Sequence, residues 1–408
     1  MVNVCYTKAQ ERMWHKMWHL TYEDYLRQQY ANALTLPEDW ETLYTYYRND
    51  GVNPDRIHTE ELEAAKLPLL KVLPQRFIPY VEDGTLNRPT LPKDVRDDFI
   101  QWQAEETARF EEKLGLSMID FTNIQEQLEP NFAEVIEGGL HDAIITQIVD
   151  DHIFINTEGG FTAKAFVILH VDGAISQQGE LHAGDTILYE EVQLTAQGVA
   201  LRMITENGQC TLHAKQIAAD FYYRPMPYHE LIANEVLPDV TAKQFIEALD
   251  SNLDYTVIAN RYALPITSFV IQGAELAQFS GGIIFKENNA IIARIHNEDY
   301  VIAQSEIDWL SQIFTTTYVD PYAIFSEPLP AEELETALAS TDLALIVRAW
   351  NTLYENPAGH EALINRALIA LAKDVDNENN VMLDVYVAHF DTLGLITNDT
   401  KMALANYL

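Results

Sequence analysis

The sequence predicts an α+β protein with an N-terminal helical region, an antiparallel β domain, a mixed α/β module and a helical C-terminus. Three observations lead there. Apolar and aromatic residues recur every three or four positions through about residue 136, the period drops to two after Gly138-Gly139, and helical spacing returns from Ala331 onward. The expected boundaries are 1–136, 137–225, 226–330 and 331–408, in keeping with the several domains a chain of 408 residues allows.

In the first region, Met13, Trp14, Met17, Trp18, Tyr22, Tyr25 and Leu26 give one long amphipathic helix over 7–34. A second helix starts at Pro37 and runs through Trp40, Tyr44 and Tyr47 to Asn49, with Gly51 as its stop. Thr59 and the acids after it open a third over 59–72. Pro68, Pro74, Pro79, Pro89 and Pro92 make 68–92 mostly irregular, and a further helix over 93–116 ends near Gly115.

The β domain carries strand patterns at 143–149, 152–156, 165–171, 186–194, 199–206 and 209–217. Asn207-Gly208 falls between the last two, and both residues tolerate the positive φ of a two-residue hairpin turn. The run from Phe221 to Pro227 then breaks the alternation.

The third region opens with helices at 228–236 and 241–250, the latter with Thr241 and Gln244 in capping-box spacing. Short strands follow at 282–286, 290–295 and 300–303, with a turn at Glu287-Asn288-Asn289, and Ser305 with Asp308 begins a helix. Five more helices are expected at 331–339, 341–355, 358–373, 379–391 and 399–407.

Composition narrows function by exclusion. Acids outnumber bases 62 to 26, a formal charge of −36, and the excess pervades all four stretches. Such a field repels phosphate backbones and anionic membrane faces, so nucleic acid and membrane are not expected partners, while a basic protein is. Two cysteines, Cys5 and Cys210, make no disulfide framework or zinc pattern and fit a reducing cytoplasm. The first residues lack the apolar stretch of an export signal.

Tyr6-Thr7 ahead of an aromatic helix, Gly139-Leu140-His141-Asp142 at the start of the β domain, and Leu188-Tyr189-Glu190-Glu191 are three short words in a fixed order. Over about residues 1–225 the chain resembles an uncharacterised Gram-positive bacterial family known only as a domain of unknown function. The resemblance implies no activity.

The candidate chemistry centres on His141, Asp142, Glu190 and Glu191. A carboxylate beside an imidazole can orient a general base or a metal ligand, and short polar side chains also satisfy strand-end backbone groups. Consecutive residues on a strand face opposite sides, so Glu190 and Glu191 should not form a paired acid/base site, and one of them should point inward toward His141. His152, His170, His182 and His213 would hold a metal only by converging with Asp185 or a glutamate. Trp14, Trp18 and Tyr22 form an aromatic stripe suited to a helix core or to gripping a partner.

Gly159-Gly160 and Gly281-Gly282 lack phosphate-loop and dinucleotide signatures and read as turns, and no serine or cysteine sits in a nucleophile signature. No cofactor or metal is expected. The reading that results is a non-enzymatic cytoplasmic binding protein with an acidic surface, one that neutralises a basic protein. The alternatives are a metal-assisted hydrolase centred on the β domain and a self-associating structural protein.

Overall fold

A computed structural model describes residues 18–37, 39–234, 240–259, 262–305, 315–317, 319–374 and 380–405. Its first elements are six helices: α1 (Tyr22–Ala31), α2 (Trp40–Asn49), α3 (Pro54–Leu70), α4 (Ile78–Glu82), α5 (Lys93–Ile124) and α6 (Pro130–Gly138). The Thr21, Asp39 and Asn53 side chains each accept from backbone N–H groups of the following turn, and so fix where α1, α2 and α3 begin.

Four of these boundaries depart from the spacing argument, and the short helix α4 interrupts the stretch expected to be mostly irregular. The second helix starts at Trp40 and not at Pro37, because Asp39 caps it there. In the stretch expected as one long N-terminal helix, residues 18–21 are not helical and a helix begins at Tyr22, capped by Thr21; the part expected over Thr7–Met17, with Trp14, lies outside the described residues, as do Cys5 and Tyr6-Thr7. The third helix starts at Pro54, since Asn53 caps it and proline suits its first position, while the Thr59 hydroxyl bonds the Asp55 carbonyl one turn inside. The helix through Gly115 continues to Ile124: a mid-helix glycine costs about 1 kcal/mol, which packing outweighs.

Phe99 and Trp102 of α5 meet Leu62 and Leu69 of α3, with Phe77 edge-on to Phe99 at 5.4 Å. Glu106, almost wholly buried on α5, accepts from Arg27 Nε at 2.6 Å and from Arg109 Nη1 at 2.6 Å, which ties α1 to α5.

Six strands follow: β1 (Ile144–Val149), β2 (His152–Asn156), β3 (Phe166–Gln178), β4 (Ile187–Thr195), β5 (Gly198–Thr205) and β6 (Gly208–Tyr222). Their order is β1-β2-β3-β6-β5-β4, with antiparallel pairing at each step. The ring closes where Ile145 N–H donates to the Asp185 carbonyl at 2.9 Å and Ile187 N–H to that of Ala143 at 2.7 Å. Inside the resulting barrel, Ile155, Val167, Leu169, Leu201, Met203 and Ile217 pack with Phe132 of α6. The alternation that defined the strands is the alternation between this interior and the outer face.

The β5–β6 hairpin is present but its turn sits one residue earlier than the Asn-Gly rule places it. Thr205 pairs with Gly208, so Glu206 and Asn207 form the turn. Asn207 donates its side-chain amide to Asp185 at 2.8 Å, and Gly208, at φ 154°, becomes the first strand residue.

The described residues divide into two compact units, one up to Tyr222 and again over Val257–Leu264, the other over Tyr223–Thr256 and from Pro265 onward. After Tyr222 come α7 (Met226–Ala233) and α8 (Ala242–Ala248), the latter with the Thr241–Gln244 capping box formed in both directions. Strands β7 (Tyr255–Ala259), β8 (Tyr262–Gln272), β9 (Glu275–Phe279), β10 (Gly282–Glu287), β11 (Ala290–Ile295), β12 (Glu298–Ala303) and β13 (Thr315–Thr317) form one sheet in the order β12-β11-β10-β9-β8-β7-β13. The sheet is larger than the expected three strands, because β7 is buried on both faces and β8 carries Pro265, so neither shows a clean period of two. Asn288, at φ 57°, turns β10 into β11 as expected. The helix expected from Ser305 and Asp308 falls on residues 306–314, outside those described.

The C-terminal helices are α9 (Ala323–Ser326), α10 (Leu334–Leu338), α11 (Leu343–Glu355), α12 (Glu361–Asp374), α13 (Asn380–Thr392) and α14 (Asn398–Leu404); the last five lie close to where the periodicity sets them, and the single turn of α9 was not expected. Trp350 of α11 stacks on Tyr386 of α13 at 4.5 Å over a core that includes Leu353, Leu368 and Phe390. No helix among the described residues is long and apolar enough to cross a membrane.

Candidate functional site

The short path from α6 into β1 places His141 and Asp142. Gly139 ends α6, Leu140 N–H donates to Glu190 Oε1 at 3.0 Å, and Asp142 N–H donates to the Ile187 carbonyl at 2.8 Å. Asp142 takes the left-handed conformation at φ 63°, which aspartate tolerates better than most residues. The Gly159-Gly160 turn presses on this corner: a Cβ at Gly160 would sit 2.4 Å from the His141 carbonyl oxygen, and one at Gly159 would sit 3.0 Å from that of Asp142. These glycines are a turn, and the reason is close backbone approach.

The His141 ring faces outward among aromatics. Nδ1 lies 3.1 Å from Asp142 Oδ1, and the ring centroid is 5.2 Å from Tyr189 and 5.9 Å from Phe161. Tyr189 in turn lies 5.1 Å from Phe110 and 6.1 Å from Tyr25. Burial raises the Tyr25 phenol above its ordinary pKa, with the Tyr22 phenol and the Asp142 and Glu206 carboxylates adding to it. Tyr189 is raised for the same first reason, with Tyr25 and Asp142 contributing. Both phenols therefore stay neutral donors at physiological pH.

The two glutamates separate as strand geometry requires. Glu190 pairs across the ladder with Met203 of the barrel interior, so its carboxyl enters the apolar side and accepts from Leu140 beside His141. Loss of solvation there pushes its pKa up to about 7, against the backbone hydrogen bonds from Leu140 and from Glu190 itself.

Glu191 pairs with Arg202 on the outer face, is buried, and accepts from His19 N–H at 3.1 Å and Leu20 N–H at 3.1 Å. Arg202, also buried, donates from Nη1 to the Leu20 carbonyl and from Nε to Thr211, each at 3.0 Å, and lies 4.6 Å over the Trp18 ring. Burial lowers the Arg202 pKa to about 10, against the Glu191 charge. The stripe residue Trp18 is thus in a packed structural contact.

Of the four candidates, the structure joins His141 to Asp142, brings Glu190 to the backbone next to them from within the barrel, and sends Glu191 to the N-terminal segment. Two of the scattered histidines meet and the others do not: His152 faces His170 across the ladder with ring centroids 4.7 Å apart, while His182 Nδ1 lies 3.6 Å from Asp185 and His213 is buried, its pKa lowered by desolvation and by Arg202. Among the described residues no three histidine, cysteine or acidic side chains are grouped to hold a metal ion. Arg202 and Phe161 escaped the reading of motifs. A single arginine inside the apolar run Val199–Ile204 was the available signal for the first; an aromatic in a glycine-rich loop was the signal for the second.

Residues 19–213 fit an uncharacterised family, one described as a protein of unknown function (DUF4085). No curated protein and no solved structure matches the chain.

Proposed function

We propose that the chain, with that family of unknown function over much of its first half, is a non-enzymatic binding protein that acts in the bacterial cytoplasm and neutralises a basic protein. The observation that carries this reading is where the four polar candidates go. Glu191 spends its oxygens on backbone N–H groups, Glu190 lies inside the barrel, and His141 and Asp142 sit on the surface among tyrosines and Phe161. An acid, a base and a metal ligand converging on one concave pocket would support the hydrolase alternative; this arrangement supports a contact surface.

The formal charge of −36 gives the partner its sign, because a negative field speeds encounter with cations and slows it with anions. The free, buried Cys210 supports a reducing compartment. The test is capture of partners from native extract at low salt, followed by association rates across a salt series. The rate for a basic partner should fall as ionic strength rises, since the field reaches only about 8 Å at physiological salt. A neutral or acidic partner whose association ignores salt would overturn the reading.

A further inference from the structure

We propose that Phe161 and the His141–Asp142 corner form the seat for an arginine side chain of that basic partner, an inference that rests on the binding reading above. Phe161 is 89% exposed, more than any other large apolar residue among those described. The loop that bears it is pinned at its base. The Thr157 hydroxyl donates to the Lys164 carbonyl at 2.6 Å, Thr157 N–H donates to that of Ala165 at 3.1 Å, and Lys164 Nζ lies 3.2 Å from Glu134. At its tip, Gly160 rests on the His141 backbone. A phenyl ring held out this way spends hydrophobic free energy that a partner would recover.

The chemistry beside the ring selects a cation with a flat face. Phe161 lies across the His141 ring at 82° and 5.9 Å with most of its own surface open to solvent, and Asp142 presents a half-exposed carboxylate at the same corner. Tyr189 and Tyr25 continue the aromatic surface, and Glu206 adds a second acid near Tyr25. A guanidinium stacks on an aromatic face while its N–H fork engages a carboxylate, whereas an ammonium is a compact and strongly hydrated point charge. An arginine fits this surface better than a lysine, and a neutral apolar group would gain nothing from the Asp142 carboxylate, which already has His141 Nδ1 at 3.1 Å.

The test is calorimetric titration of the full chain, at physiological salt, with three synthetic peptides that share one sequence and carry arginine, lysine or citrulline. The arginine peptide should bind best and the citrulline peptide worst. Phe161→Ala changes no charge and removes an exposed side chain, so the fold should persist, yet arginine-peptide affinity should fall about fivefold. Asp142→Asn, which keeps a residue tolerant of the left-handed backbone, should weaken binding more than Glu111→Gln, which removes the same charge from α5. If the arginine peptide binds Phe161→Ala as it binds the unaltered chain, the seat is wrong while the acidic-surface reading survives. If none of the peptides binds even at low salt, both are wrong.

Discussion

Glu191 and Arg202 face each other across β4 and β5 and hold the same short stretch of chain: the carboxylate takes the N–H groups of His19 and Leu20, and the guanidinium takes the Leu20 carbonyl. Each charge is buried, and each answers the other as well as the backbone between them. The pair turns an otherwise irregular segment, Trp18 to Thr21, into part of the barrel's outer face.

Removing one member should therefore cost more than removing both. Arg202→Met leaves Glu191 buried without its counter-charge and should lower the free energy of unfolding by about 3 kcal/mol. The double variant Arg202→Met/Glu191→Gln should recover part of that loss. Urea unfolding of both variants measures this; a single variant as stable as the parent would show that the pair carries little energy.

The Glu190 carboxyl gives a pH dependence of definite sign. Its pKa rises from the ordinary 4.5 to about 7 on folding, so the folded state holds the proton more tightly than the unfolded chain. The stabilisation is complete below the unfolded value and is lost as pH rises through the folded one. Glu190→Gln keeps an acceptor for Leu140 N–H and cannot ionise. Relative to this variant, the parent should lose about 1–2 kcal/mol between pH 5 and pH 8, less than the full shift implies because the residue retains partial exposure. Parallel unfolding curves at the two pH values would contradict the assignment.

Gly160→Ala places a methyl group 2.4 Å from the His141 carbonyl oxygen. Backbone on both sides leaves no flexible side chain to give way, and a loss of about 2 kcal/mol is expected. Gly208→Val meets open space instead, and its cost of about 1 kcal/mol comes only from the φ of 154°. Thermal melting should rank the two in that order.

Cys210 is fully buried, and desolvation pushes its thiol up to about 12. In a Cys5→Ser variant, a thiol reagent at pH 8 should leave the native protein unlabelled and react only in denaturant. Fast native labelling would mean that the barrel interior opens readily.

The barrel strands were legible because each has one face in an apolar interior and one outside, which writes a period of two into the sequence. Closure was not legible: the bonds between Ala143, Ile145, Asp185 and Ile187 are backbone contacts that no side-chain pattern encodes. Glu190 and Glu191 were separable from strand parity alone, and the partners of Glu191 were not: His19 lies 172 positions away, and Arg202, on the next strand, pairs with it only through the β4–β5 register. Helix starts followed caps that compete locally: Asn53-Pro54 outranks Thr59, and a glycine such as Gly115 weakens a helix without stopping it.

The ladder between β3 and β6 has a consequence for the growing chain. Val167, Leu169 and Val171 of β3 gain their neighbours Phe221, Ala219 and Ile217 only when 54, 50 and 46 further residues, respectively, have been made. At roughly 5–20 residues per second, the apolar side of β3 waits several seconds on the ribosome before the barrel can dry its interior. A chain halted before Gly208 should bind a hydrophobic dye strongly, and one released after Tyr222 should not; the newborn protein is therefore most in need of a chaperone in that interval.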